Sequence, residues 1–159
     1  MKATRQFGGA LAGICAAALL AAAPAHAGPF AGAEPTKDHY GVIFHIDEGG
    51  QATIKKTLTN VENLLNDPRL KGKVQVELIA NSKGFAVYVK NNGFEKQLKE
   101  LQDKGVILAQ CSNTLHELHV DRKDLYSFVS IVPSGMGEIT LREAQGWAYI
   151  HPTPPNSSL

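Results

Sequence analysis

The segment that decides the fold runs from Tyr40 to Ala80 and reads YGVIFHIDEGGQATIKKTLTNVENLLNDPRLKGKVQVELIA. It contains two short apolar runs, Tyr40–Ile46 and Val74–Ala80, which have the length and the β-branched composition of buried strands. Between them, Gln51–Asn66 carries apolar residues at the spacing of one helix face. A strand, a helix and a second strand in this order predict a βαβ unit with parallel strands.

The same alternation continues along the chain. A helix that carries Phe94, Leu98 and Leu101 is predicted to end at Lys104–Gly105, because glycine commonly follows a helix end. The segment Phe85–Lys90 fits either a short helix or an extended piece. Further strands are predicted at Val106–Gln110, Phe128–Val132 and Trp147–His151, and further helices at Ser112–Val120 and Gly137–Gly146. The sequence therefore predicts a three-layer α/β/α domain with a mainly parallel sheet of about five strands.

The first 27 residues have the pattern of a secretory signal peptide. Lys2 and Arg5 precede the apolar run Gly8–Ala23, and small residues stand before a predicted cleavage site after Ala27. The alternative is a retained anchor, but the run is short of the roughly 20 residues that span a bilayer. We expect an exported periplasmic protein that has no membrane association once the signal is cleaved.

The rest of the chain divides into three predicted parts: a flexible leader at residues 28–38, one domain at residues 39–152 and an irregular tail at residues 153–159. The formal net charge is +1 and charged residues make up 19% of the chain, so no basic surface for nucleic acid is expected. Of the two cysteines, Cys15 lies in the signal, which leaves Cys111 alone and excludes an intrachain disulfide in the exported protein.

The carboxyl ends of the predicted strands carry the residues with chemical potential. Open parallel sheets bind ligands at this edge, so side chains from distant parts of the chain are expected to meet there. A thiolate or a ligand at the edge would be stabilised by neighbouring polar groups and backbone N–H groups. The residues expected to meet are Asp47, Asn81, Cys111, Asn113, Ser134 and Gly135.

Cys111 is the candidate catalytic residue. It precedes Ser112, Asn113 and Thr114, residue types that favour a helix N-terminus, where N–H groups and the helix dipole stabilise a thiolate. Such a thiolate is a nucleophile that can carry a persulfide. The alternative is a buried, unreactive cysteine that packs as a small apolar residue.

Two further interpretations concern ions. Cys111, His116 and His119 are weak candidates for a soft metal, because one thiolate and two imidazoles suit copper or zinc. The alternative is two solvent-facing histidines, since the spacing matches no standard zinc pattern. The turn Asp47–Gly50 is either an anion-binding turn or a plain tight turn, and no cofactor is predicted.

Several segments resemble a known family. The run Gly105–Cys111 (GVILAQC), followed by Asn113–Leu115, resembles the Gly-Val-x-x-x-x-Cys segment of the DsrE/DsrF-like family. The later runs Val132–Gly135 and Gln145–Pro152 resemble an uncharacterised branch of the same family. The likeness covers roughly Tyr40–Pro152, nearly the whole predicted domain.

The resemblance implies a small parallel α/β fold that assembles as trimers or hexamers. In sulfur-relay members, a cysteine at the position of Cys111 accepts sulfur as a persulfide and passes it to a partner protein. The leading hypothesis is therefore an exported sulfur carrier or sulfurtransferase that uses Cys111 with a donor or acceptor protein. Two alternatives stay open: a non-catalytic oligomeric binding protein for a small ligand or soft metal, and a structural oligomer with an inert thiol.

Overall fold

The structure is a computed structural model that describes residue 30 and residues 32–152. The predicted signal at residues 1–27 and the tail at residues 153–159 lie outside the described residues. Within the described part, no helix is both long and apolar enough to cross a membrane.

The compact unit of the chain starts at Glu34, shortly before the first strand. The backbone N–H groups of Thr36 and Lys37 donate hydrogen bonds to the hydroxyl of Tyr40, at 2.7 and 2.9 Å. These bonds attach part of the predicted leader to the start of the first strand.

Three elements have the bounds that the sequence predicts: strand β1 at Tyr40–Ile46, helix α1 at Gln51–Asn66 and strand β2 at Val74–Ala80. Each strand ends in five consecutive buried residues, and α1 buries Ile54 and Leu58 completely. Continuous burial is expected for parallel strands that are covered on both faces.

The remaining elements complete the alternation of strands and helices. Two short 3₁₀ helices, Ser82–Tyr88 and Arg122–Asp124, lie in connections between strands. The helices are α2 at Glu95–Asp103, α3 at Ser112–Glu117 and α4 at Gly135–Ala144, and the strands are β3 at Ile107–Cys111, β4 at Ser130–Val132 and β5 at Ala148–Ile150.

The five strands form one parallel sheet in the order β4-β3-β2-β1-β5. The steps from β1 to β4 run in one direction across the sheet, and the connection from β4 to β5 runs back in the other. Crossovers between parallel strands are nearly always right-handed, so the reversal places α4 on the opposite face from the earlier helices. The predicted three-layer α/β/α fold is confirmed.

The two faces of the sheet carry cores of different size. The larger core includes Ile54 of α1, Leu98 of α2 and Leu115 of α3. On the other face, Ile139 of α4 packs against a small buried group that includes Ile43 and Ile79. The carboxyl edge of this second face holds the residues of the candidate site.

Several predicted segments differ from the structure at their ends. Strand β3 is shifted by one residue, and β4 and β5 are shorter than predicted. The ambiguous segment Phe85–Lys90 overlaps the first 3₁₀ helix. Helix α3 ends at Glu117 rather than at Val120, and His119 beyond it has a positive φ of 53°, which a helix does not accommodate. Helix α4 begins two residues earlier than predicted, because Ser134 provides its N-cap.

Candidate functional site

Cys111 is the last residue of β3 and stands directly before Ser112, the first residue of α3. Its backbone is extended (φ −66°, ψ 122°), so Cys111 occupies the N-cap position of the helix. The residue is buried, with 5% of its surface exposed. The sulfur therefore lies beside N–H groups that have no acceptor within the helix.

The pKa of the Cys111 thiol depends on burial and on nearby hydrogen-bond donors. Burial raises the pKa of the thiol, but it is opposed by bonds from the backbone N–H groups of Gly135, Thr114 and Asn113 and from the Thr114 hydroxyl. Together these bonds outweigh burial, and the pKa of Cys111 lies below its ordinary value. The nucleophilic thiolate is therefore more populated at neutral pH than in an ordinary cysteine.

Thr114 joins two segments at the site. Its buried hydroxyl accepts a hydrogen bond from the backbone N–H of Ser82 at 3.0 Å and contributes to the lowered pKa of Cys111. Ser82 has a positive φ of 45°, which is costly for a residue other than glycine. Sequence reasoning treated Thr114 only as a residue type suited to a helix start, since its contact with Ser82 depends on the fold.

Cys111 lies at the point where the chain changes faces of the sheet. Helix α3 leaves the end of β3 toward the larger core, whereas α4 leaves the neighbouring strand β4 toward the smaller one. Adjacent strands whose connections diverge in this way leave a crevice at their carboxyl ends, which is where open α/β sheets bind ligands. Strand β3 ends at Cys111 and β4 at Val132, so the crevice expected from the strand order lies beside the thiol.

Gly135 brings the first turn of α4 against this crevice. A Cβ atom built on Gly135 would lie 3.3 Å from Cβ of Cys111, 3.4 Å from Cβ of Asn81 and 3.7 Å from the sulfur. These contacts show that Asn81 and Cys111 both face α4. The lack of a side chain at Gly135 lets its N–H group reach the sulfur.

Three predicted site residues lie side by side across the sheet. Ile46 pairs with Ala80, and Ala80 pairs with Gln110, so the following residues Asp47, Asn81 and Cys111 are in register. The N–H group of Asn81 donates to the carbonyl of Ile46 at 3.1 Å, which extends the ladder by one step. The structure therefore brings together residues that the sequence places at three different strand ends.

His45, which was not among the predicted site residues, lies beside the row of Asp47, Asn81 and Cys111. The ring of His45 is buried in β1, with 6% of the residue exposed. Its Nε2 lies 2.8 Å from Oδ1 of Asn81, and its Nδ1 lies 2.7 Å from the hydroxyl of Tyr149 on β5. Both ring nitrogens are thus hydrogen-bonded.

A second histidine covers the first. His151 stacks on His45 with ring centroids 4.9 Å apart, and its Nε2 lies 2.8 Å from Oδ1 of Asp47. The Asp47 carboxylate is therefore engaged by the segment after β5. The available sequence signal was the alternation of Tyr149 and His151, but pairing with His45 depends on β5 lying next to β1.

The other predicted residues have more local roles. The hydroxyl oxygen of Ser134 accepts a hydrogen bond from the N–H group of Gly137 at 3.2 Å, so this side chain caps α4. The residue Asn113 is exposed and contributes its backbone N–H group to the sulfur of Cys111. Ser134 and Asn113 thus support the site through the backbone arrangement of two helix starts.

The metal candidates do not come together. His116 is exposed at the end of α3, and His119 is exposed beyond the helix, whereas Cys111 is buried at its start. Across residues 32–152, no group of three or more His, Cys, Asp or Glu side chains is arranged to hold a metal ion.

The turn after β1 packs closely on the loop after β2. A Cβ atom on Gly49 would lie 2.6 Å from the carbonyl oxygen of Lys83, and one on Gly84 would lie 2.0 Å from that of Ile46. Since backbone atoms cannot move aside as a flexible side chain can, glycine is required at both positions. This geometry is that of a tight structural turn.

Comparison with known proteins relates the chain to a solved structure. No family model matches the chain, and no curated protein matches it. It is similar to the structure of MTH1491, a protein of unknown function from Methanobacterium thermoautotrophicum, with 38% sequence identity and a TM-score of 0.66. The match covers 71% of this chain and 99% of the MTH1491 chain. This chain belongs to the MTH1491 family.

Membership in the MTH1491 family supports the fold and leaves the activity to be inferred from the site. MTH1491 is described as a protein of unknown function, so no substrate or partner transfers from it. In this member of the MTH1491 family, the site consists of the Cys111 thiol and of the polar side chains of His45, Asn81 and Tyr149 at the neighbouring strand ends.

Proposed function

We propose that this protein is an exported, DsrE-like sulfur carrier or sulfurtransferase that holds a persulfide on Cys111. The observation that carries the proposal is the position of the buried thiol at the N-cap of α3 and against Gly135 in the first turn of α4, where N–H groups at both helix starts lower the pKa of Cys111. Such donors stabilise the anionic forms of both a thiolate and a persulfide.

The transfer consists of two exchange steps with no net oxidation. The Cys111 thiolate attacks the outer sulfur of a persulfide or polysulfide donor, the donor's S–S bond breaks, and the donor thiolate leaves with the electron pair. An acceptor thiolate then attacks the outer sulfur on Cys111, and Cys111 leaves as a thiolate. A lowered pKa supports both steps, because it populates the attacking thiolate and makes Cys111 a better leaving group.

The proposed partners are a sulfur donor and a sulfur acceptor protein in the periplasm, which the chain reaches by way of the signal at residues 1–27. The proposed assembly is a homotrimer or homohexamer, as in the family that the sequence resembles. Apolar side chains exposed on α4, Met136 and Leu141, support contact with a second copy of the chain.

Mass spectrometry of the purified exported protein after incubation with polysulfide tests the proposal. We expect a gain of one sulfur atom on the peptide that contains Cys111, its removal by a small thiol, and no gain in the Cys111→Ser variant. A thiol that alkylates in the folded protein but gains no sulfur would overturn the carrier role and favour the binding protein. A thiol that alkylates only after unfolding would favour an inert core cysteine.

A further inference from the structure

We propose that His45 is a positioning residue of the Cys111 site, which acts by fixing the orientation of the Asn81 carboxamide so that its NH₂ group serves the sulfur. The inference rests on the proposed function of Cys111 as a thiolate that carries sulfur.

The hydrogen bonds of His45 select one tautomer. The carbonyl oxygen of Asn81 can only accept, so Nε2 of His45 carries the proton in their 2.8 Å bond. The other nitrogen, Nδ1, then accepts from the hydroxyl of Tyr149. Burial, together with the negative charges of Asp47 and Glu143, raises the pKa of Tyr149, so this hydroxyl stays protonated and is able to donate to Nδ1.

The orientation of Asn81 follows from the order of the strands. In a planar carboxamide the oxygen and the NH₂ group lie on opposite sides of the Cβ–Cγ bond. Strand β2 lies between β1 and β3, and the oxygen of Asn81 bonds to His45 on β1. We infer from this that the NH₂ group is turned toward β3, where Cys111 is in register and where Gly135 has no side chain between Asn81 and the sulfur.

The reverse orientation would oppose the chemistry. A carboxamide oxygen turned toward Cys111 would repel a thiolate or a persulfide, whereas an NH₂ group donates to it. The groups that face the His45 ring are Tyr149 on β5, His151 just after β5 and Asn81 just after β2, and His151 is in turn bonded to Asp47. These contacts hold the His45 ring in place, so the folded protein favours one orientation of the Asn81 carboxamide.

A double-mutant cycle tests the inference, with the pKa of Cys111 measured by thiolate absorbance and by the pH dependence of alkylation. Absorbance is compared with the Cys111→Ser protein. We expect His45→Phe and Asn81→Ala each to raise the pKa of Cys111 and to slow alkylation at pH 7 by about threefold to tenfold, as for the loss of one hydrogen bond. The double variant should match Asn81→Ala alone, because His45 acts through Asn81.

Two further variants separate positioning from packing. His45→Gln retains a side-chain NH₂ donor for Asn81 and should recover most of the wild-type pKa, and Tyr149→Phe should have a smaller effect than His45→Phe. Additive effects of His45→Phe and Asn81→Ala, or an unchanged pKa in His45→Phe, would overturn the inference. Should His45→Phe fail to fold, an equal pKa shift in His45→Gln and Asn81→Ala would overturn it.

The two proposals can fail separately. Neither absorbance nor alkylation requires a sulfur donor, so a coupled cycle in a protein that gains no sulfur would refute the carrier role and leave the role of His45 in place. Sulfur transfer together with additive effects of the His45 and Asn81 substitutions would support the carrier role and refute the role of His45.

Discussion

Substitution of Gly135 tests how closely the first turn of α4 must approach the Cys111 thiol. In Gly135→Ala the new Cβ would lie 3.3 Å from the Cβ of Cys111, a close contact with an atom that is fixed by the backbone. We expect this change to lower the free energy of unfolding by about 1–3 kcal/mol. It should also raise the pKa of Cys111, because the N–H group of Gly135 moves away from the sulfur. Denaturant unfolding and the pH dependence of alkylation measure the two effects.

The matched control at this scale is Gly137→Ala, two residues further along the same helix. Its Cβ would meet Ser134 at 3.4 Å, an ordinary contact, and Gly137 is exposed. Alanine there should stabilise the protein by about 0.5–1 kcal/mol through helix propensity and leave the pKa of Cys111 unchanged. Equal effects of the two substitutions would show that Gly135 has no special contact with the site.

At the residue scale, the sequence predicts the Cys111 side of the site but not the contact between His45 and Tyr149. Asp47, Asn81 and Cys111 were predictable because each follows or ends a clear apolar strand, and strand ends meet in a parallel sheet. His45 and Tyr149 were not predictable as a pair. Their contact requires β5 to lie beside β1, an outcome of the long connection from β4 that no local pattern encodes.

At the scale of elements, α4 is joined to the sheet by an ion pair whose carboxylate is buried. Nε of Arg142 lies 2.7 Å from Oε2 of Glu77 on β2 and 2.9 Å from Oε1 of Glu138, and its guanidinium lies over the ring of Trp147 at 4.3 Å. Glu77 is only 1% exposed. Burial raises the pKa of Glu77 despite the opposing charge of Arg142, so its ionised form costs free energy in the folded state.

This pKa predicts a pH dependence with a definite sign. A carboxyl whose folded pKa exceeds its unfolded value stabilises the fold below the unfolded pKa, and that contribution is lost as pH rises through the folded pKa. The free energy of unfolding of the wild type, minus that of Glu77→Gln, should therefore fall as pH rises above 4.5, the ordinary pKa of glutamate. Urea unfolding of both proteins across this range measures the difference.

The control is Glu138→Gln, which alters the same arginine from a more exposed carboxylate. The charge of Glu138 itself helps to raise the pKa of Glu77, so this variant should reproduce only part of the fall. A difference that grows with pH would instead show that attraction to Arg142 exceeds the cost of burying the Glu77 carboxylate.

The elements that the sequence predicted best are the ones with two sheet neighbours or a long apolar face. The bounds of β1, α1 and β2 match because each carries enough periodic apolar residues to define both ends. The edge strands β4 and β5 have only three residues each, shorter than predicted. An edge strand has one neighbour, so pairing and not apolar composition sets its length.

At the scale of the whole molecule, the smaller core leaves apolar surface in contact with solvent. Helix α4 covers its face of the sheet and carries Met136 and Leu141 with exposed fractions of 50% and 60%. On the edge strand β5, Tyr149 and Ile150 are also exposed. Exposed apolar side chains on a helix and on an edge strand are candidates for an interface between subunits.

The proposed trimer or hexamer should therefore depend on α4. Light scattering after size-exclusion chromatography should give three or six copies for the wild type and a lower mass for Leu141→Glu and Met136→Glu, since a charge buried at a subunit contact is costly. The control is Leu118→Glu, an exposed leucine (46%) after α3, which should keep the wild-type mass. A monomeric wild type would contradict assembly through α4. So would dissociation by Leu118→Glu with no change in mass for Leu141→Glu and Met136→Glu. Assembly through α4 would also bring a second copy beside the crevice at Cys111, because Gly135 and Met136 begin that helix.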